Sequence, residues 1–246
     1  MKFLSWKVWL SLTLLWLSAL VYGVHFLLFR DVNYMARLFF AQLGFLPLNV
    51  LLVTIIISQL LSVHARRAKM AKLNMVIGAF FSEVGLDLLK SLAAFTSGRD
   101  HFSVLIKDIG QWPDREFADF KKSLPAHDFG FHVEEIKLAF LRTLLKDKRE
   151  FLLRLLENPN LLEHDTFSNL LLAVFHLLEE LSQRQALDRL GAADQEHLAA
   201  DLNRAYLLLV GQWLDYMLHL KNNYAYLFSL AVRTNPFNPQ ARPEIG

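Results

Sequence analysis

Three histidine–carboxylate pairs stand four residues apart in the C-terminal half of the chain: His176 with Glu180, His197 with Asp201, and Asp215 with His219. In an α-helix that spacing sets both side chains on one face. Helical bundles that hold iron, manganese or zinc draw histidines and carboxylates inward from several helices, because the ion needs ligands that converge from separate elements. The six residues therefore form one candidate ligand set for a transition metal. The same spacing also serves plain ion pairing, worth only a few tenths of a kcal/mol on a helix surface, and nine histidines among 24 acidic residues will produce some such pairs by chance. Structural hydrogen bonding or salt bridging is the preferred reading of the pairs, and local context keeps the metal reading open beside it. His176 lies between AVF and LL, and His219 between ML and LK. In apolar surroundings of this kind an unpartnered imidazole is costly.

The HxxxE and DxxxH runs resemble ligand runs of hemerythrin-like and ferritin-like proteins, but the complete set of neither is present, so no site is carried over from them. A second histidine, in Glu163-His164-Asp165, loosely resembles the phosphoacceptor box of sensor histidine kinases. No glycine-rich ATP-binding motif follows it, and the same letters suit a helix N-terminus, where Glu163 and Asp165 would complement the dipole. Arg99-Asp100-His101 with Ser103 is too generic to read as a triad. There is no G-x-S-x-G, GxxxxGK[ST], GxGxxG or HExxH run. With no cysteine, a thiol nucleophile, a disulfide framework and a cysteine-ligated zinc or iron–sulfur site are excluded.

The elements that must position the histidines read as helices throughout. After short segments at 101–110 and 113–123, punctuated by Gly110, Pro113, Pro125 and Gly130, longer helices are predicted over about 132–157, 163–184 and 193–221. The first should end before Asn158-Pro159, since proline disfavours the helical conformation of the preceding residue. One more apolar helix opens the tail, which then becomes extended around prolines 236, 239 and 243. Tyr206, Trp213, Tyr216, Tyr224, Tyr226 and Phe228 are expected in a core rather than on a stacking platform.

The N-terminal quarter is of a different kind. Val8–Phe29 and Leu38–Val63 contain no Asp, Glu, Lys or Arg, and each exceeds the ~20 apolar residues that carry a helix across a bilayer core. The first run is too long for a signal-peptide core and reads as an uncleaved signal anchor. Lys2 and Lys7 before the first run, with Arg66, Arg67, Lys69 and Lys72 after the second, outnumber Arg30 and Arg37 between them. By the positive-inside tendency both termini and residues 64–246 are then cytosolic. The connection Arg30–Arg37 has no room for a sensor domain or a selectivity filter. In the second run Gln42 and Asn49 share a face, seven residues apart and close to Pro47. Polar amides at that depth hydrogen-bond to another helix, of the same hairpin or of a second copy, or else line an oligomeric channel.

The expected organisation is an all-α chain: a transmembrane hairpin (1–63, spans about 8–29 and 38–63), a basic collar and long connecting helix (64–100), a cytosolic helical bundle (101–235) and a Pro-containing tail (236–246). The collar of Arg66, Arg67, Lys69 and Lys72 suits an anionic leaflet but is too narrow for nucleic acid. Gly78 and Gly85 fall on one face of the connecting helix, where they would allow close packing. AFFSEVG (79–85) and LLAVFHLLEEL (171–181) resemble stretches of uncharacterised prokaryotic membrane proteins with a hairpin and a helical domain, a resemblance that brings no activity with it. The functional expectation is an inner-membrane module, non-enzymatic, for protein interaction, assembly or signalling: the hairpin anchors and self-associates, while the bundle binds a protein partner or relays a membrane state. The alternatives are a metal-binding bundle built on the histidine–carboxylate pairs and an oligomeric channel.

Overall fold

The computed structural model describes the backbone of the 246-residue chain except residues 1, 98, 128, 160, 162, 163, 239, 245 and 246, and the side chains except those, residues 2–5, 7, 64–69 and 71, and residues 99–101. The chain divides into two compact units, Met1–Arg66 and Arg67–Gly246.

The first unit contains helix α1 (Lys2–Phe29) and most of α2 (Val32–Phe80). The expected eight-residue connection shrinks to Arg30 and Asp31. Arg30 takes the left-handed conformation at φ 47°, and the Asp31 carboxylate accepts a 2.9 Å bond from the Tyr34 amide. Asp31 thus caps the new helix, which starts six residues earlier than the charge-free run. Apolar windows at Val8–Phe29 and Val32–Val63 have mean hydropathies of 2.0 and 2.1, and their residues lie outside any packed interior.

In the second unit α2 ends at a π-helical turn, Phe81–Gly85, followed by α3 (Leu86–Ala93). A Cβ on Gly85 would stand 2.6 Å from Phe81 Cδ1 and 2.9 Å from Phe80 Cε1, so the widened turn closes only over a bare α-carbon. Helices α4 (Arg99–Leu105) and α5 (Asp114–Ser123) follow, joined and trailed by short 3₁₀ turns. The helix expected over 132–157 is two, α6 (Glu135–Asp147) and α7 (Arg149–Leu156), because Lys148 leaves helical geometry at φ −97°, ψ 5°. Then come α8 (Asp165–Gln183), α9 (Ala192–Asn223) and α10 (Ala225–Arg233). Among the described residues no strand forms; a single bridge links Thr96 and Phe131.

Helix α9 is the axis of this unit. Its buried face, from Leu198 through Leu202, Tyr206, Leu209, Trp213 and Met217 to Leu220, recurs every three or four residues and packs most extensively on α8. Tyr206 and Trp213 join the core as expected, whereas Tyr224, between α9 and α10, and Tyr226, on α10, are exposed. At the end of α9, Lys221 Nζ donates to the Trp112 carbonyl at 2.8 Å and to Asp114 at 2.7 Å. This tie holds the α4–α5 connection against the axis.

Candidate metal centre between two helices

The α8–α9 contact places two of the three pairs together. His176 and Glu180 share a face of α8, and His197 and Asp201 a face of α9, so each helix contributes one imidazole and one carboxylate. Leu170, Leu171, Val174, Leu177, Leu178 and Leu181 bury the rest of α8, which leaves the 176/180 edge at the seam between the helices. Apolar packing therefore fixes the register in which the four polar side chains meet.

The contacts cross from helix to helix. His176 Nε2 lies 3.1 Å from Asp201 Oδ2 on the neighbouring helix, closer than the 4.0 Å to Glu180 on its own. His197 Nε2 lies 3.3 Å from the same Oδ2 and 3.9 Å from Glu180 Oε2. Ligand atoms of His176, Glu180 and His197 all fall within 4.8 Å of one another. A tetrahedral ion with bonds of about 2.0–2.1 Å requires donor–donor separations of about 3.3 Å. The two imidazole–Asp201 separations meet that value, and the imidazole–Glu180 separations of 4.0 and 3.9 Å exceed it.

Burial and charge are unequal across the cluster. The Asp201 side chain is 3% exposed, while those of His176 and His197 are about half exposed, at 46% and 53%. A buried carboxylate thus forms the floor of a site whose imidazoles line the opening. Two arginines hold the carboxylates from behind. Arg204 lies 3.2 Å from Asp201 Oδ1, leaving Oδ2 to the imidazoles. Arg184 bonds Glu180 and reaches Asp194 at 3.2 Å. The bond from Arg184, helped by its charge and by the nearby His176 and His197, holds the Glu180 carboxyl below its ordinary range. Three carboxylates thus face two guanidinium groups, and with neutral imidazoles the cluster carries one net negative charge.

Asp215 and His219 do not join it. Along α9, His219 is 22 residues beyond His197, which at 1.5 Å per residue is about 33 Å. Asp215 instead pairs with Lys121 on α5 at 2.5 Å. His219 Nδ1 meets the amides of Asn74 at 3.0 Å and Asn223 at 3.2 Å, and burial holds its pKa below the ordinary value. The six-residue set of the sequence reduces to four, because a helix this long carries its last pair to the other end of the unit.

Arg184 and Arg204 stand four and three residues after the carboxylates they hold. That spacing was legible, but arginine ligates no metal and so fell outside a search for ligands. The crossed pairing was not legible, since it depends on how α8 and α9 are offset. His164, the other histidine weighed for chemistry, caps α8: its Nδ1 accepts from the Phe167 amide at 3.2 Å. Of the neighbouring residues, Glu163 and the side chains of Arg99, Asp100 and His101 lie outside the described set, as do the side chains of Lys2, Lys7, Arg66, Arg67 and Lys69. Lys72 is exposed.

In the first unit Gln42 and Asn49 line one groove of about 470 Å³ together with Tyr22, Phe39, Leu43, Phe45 and Leu46. Neither amide has a hydrogen-bond partner among the described residues, so of the alternatives weighed for them a bond within the hairpin is not made.

Comparison with known proteins is consistent along the length of the chain. Residues 2–61 match the family described as "MJ1433, N-terminal helical domain", and residues 69–233 match "Uncharacterized protein MJ1433, C-terminal helical domain". A relative from Methanocaldococcus jannaschii, "Uncharacterized protein MJ1433", is 45% identical over 229 residues, covering 93% of this chain and 92% of its own length. No solved structure matches. The two family matches divide the chain where the fold divides, and with a relative of this identity and coverage the chain belongs to the MJ1433 family.

Proposed function

We propose that the protein is a membrane-anchored, non-enzymatic module whose cytosolic helical unit binds one divalent first-row transition ion, of the zinc, iron or manganese kind, between α8 and α9. The observation that carries the metal reading is that His176, Glu180 and His197 offer ligand atoms within 4.8 Å of one another, with Asp201 Oδ2 beside both imidazoles. Two imidazoles with carboxylate oxygen form a donor set that suits these ions. The arginines act as outer partners that orient the carboxylates, in the way such partners tune metal sites. Metal binding requires neutral imidazoles and ionised carboxylates, so occupancy depends on pH.

Anchoring rests on the exposure of both apolar windows. A core helix of a soluble protein with the same composition would be covered. The second window, preceded by a whole helix, is also badly placed for a signal sequence. Lipid is the natural cover for such surfaces. The basic residues flanking the windows support a cytosolic position for the second unit, and a helical module of this kind would relay occupancy to a protein partner.

Purified full-length protein, prepared from metal-replete cells in mild detergent, is assayed for bound metal by elemental analysis. About one equivalent of one transition ion, lost in the double variant His176→Ala/His197→Ala with helicity retained, supports the site. Less than about a tenth of an equivalent in the unmodified chain, after dialysis against micromolar Zn(II), overturns it, since a real site retains its ion under those conditions.

A further inference from the structure

Resting on the membrane-anchor reading above, we infer that the Gln42–Asn49 face of α2 is the docking surface for a second copy of this chain. Asn49 stands near the middle of the 32-residue apolar window and Gln42 two turns before it, on one helix face and in one groove, with no partner of their own among the described residues. Pro47, inside the same helix, has no N–H to give to the carbonyl of Leu43, which also lines the groove. The two amides are thus left open toward one side at a depth where no water competes, and Pro47 removes one backbone donor beside them. Unsatisfied polar groups in hydrocarbon are expensive, and interhelical hydrogen bonds from Asn and Gln are a common way to satisfy them.

The chemistry selects the occupant. A primary amide carries both donors and an acceptor, so a face that presents amides seven residues apart is complementary to itself under a two-fold rotation. A second copy brings the matching groups at the matching depth by construction. A different protein would need its own polar residues at those two heights. The groove, bordered by Tyr22 of α1 and by Phe39, Phe45 and Leu46 of α2, offers apolar walls between which the partner's α2 can seat.

The absence of cysteine makes this directly testable, because any introduced thiol is unique. Leu46→Cys places one in the groove; Leu51→Cys places one on the opposite side of α2, nine residues and so half a turn in phase from Gln42. Full-length variants are oxidised with copper–phenanthroline in native membranes after alkaline carbonate washing. The expected result is a cross-linked product of twice the chain mass from Leu46→Cys and little from Leu51→Cys. In the Gln42→Leu/Asn49→Leu background the yield should fall about tenfold or more, since both interhelical amide bonds are lost. Cross-linking that ignores the double substitution, a product at the mass of some other protein, or a monomer throughout overturns the inference while the anchor stands. Release of the chain by carbonate would instead sink the anchor itself, and the inference with it.

Discussion

Asp201→Asn separates a metal site from a cluster of ion pairs. The substitution preserves shape and removes charge from the one buried carboxylate of the group. Asp201 now offers Oδ2 to His176 and His197 and Oδ1 to Arg204. An asparagine has a single oxygen, so its NH₂ either confronts the donor-only guanidinium of Arg204 or turns to the imidazoles, where it removes the charged acceptor they share. Breaking a fully buried ion pair from one side costs about 3–5 kcal/mol. Here the partners are largely hydrated, since the imidazoles are about half exposed and Arg204 is 61% exposed. A loss of about 2 kcal/mol is expected, which for a unit of this size lowers the melting temperature by about 4–8 °C.

That loss alone fits either role for Asp201, and added metal distinguishes them. At a free Zn(II) concentration 100 times its Kd, the unmodified chain gains about 2.7 kcal/mol. If Asp201 is a ligand, its loss weakens binding at least tenfold, and at the same Zn(II) concentration the variant gains about 1.4 kcal/mol or less. Thermal melts of the full-length protein in detergent, followed by circular dichroism with and without Zn(II), measure both. An equal rise in the variant and the unmodified chain removes Asp201 from the coordination sphere. No rise in either means that the cluster is held together by its ion pairs alone.

The remaining expectations test neighbouring steps. Asp215→Asn and His219→Gln should leave metal content unchanged, because both positions lie far along α9 from the site; a loss in either would show that the two ends communicate. His219→Gln should also change the pH dependence of stability. Burial depresses the folded-state pKa of His219, so its contribution is complete above the ordinary value of 6.5 and is lost as pH falls through the lower folded value. Denaturant titrations between about pH 7 and 5 should accordingly show a shallower decline in the variant. Glu180→Gln acts at lower pH. The folded-state pKa of Glu180 is depressed by Arg184, so its stabilisation is present above the ordinary 4.5 and disappears as pH falls below it. The variant should be less stable than the unmodified chain at pH 7 and converge with it near pH 3, a window set by the ordinary carboxylate range. Gly85→Ala should cost about 1–2 kcal/mol in chemical denaturation, the overpacking penalty less the helical advantage of alanine. Gly78→Ala, whose Cβ would meet Tyr216 at an ordinary 3.7 Å, should be neutral or slightly stabilising.

Local chemistry explains what could be read in advance and what could not. The all-helical character, the two uncharged N-terminal stretches and the existence of α8 and α9 follow from periodicity and composition, which act over a few neighbouring residues. The two-residue hairpin turn was hidden because Asp31 and Arg37 looked like loop residues, whereas Asp31 caps α2 and Arg37 rides inside it. The break at Lys148 has no proline or glycine to announce it; the arrangement of α6 and α7, both packed on α8, sets it. The site behaves likewise. Spacing of four finds residues that share a helix face, and it found all four members of the cluster together with a pair that belongs elsewhere. It could not show that His176 and His197 both turn to one oxygen of Asp201, because that depends on the offset between α8 and α9. That offset is fixed by leucines that carry no chemical signature of a site. A set of donors assembled by apolar packing should therefore respond to changes in the packing. Shortening Leu177 or Leu198, both fully buried on these two helices, should loosen metal binding without touching a ligand.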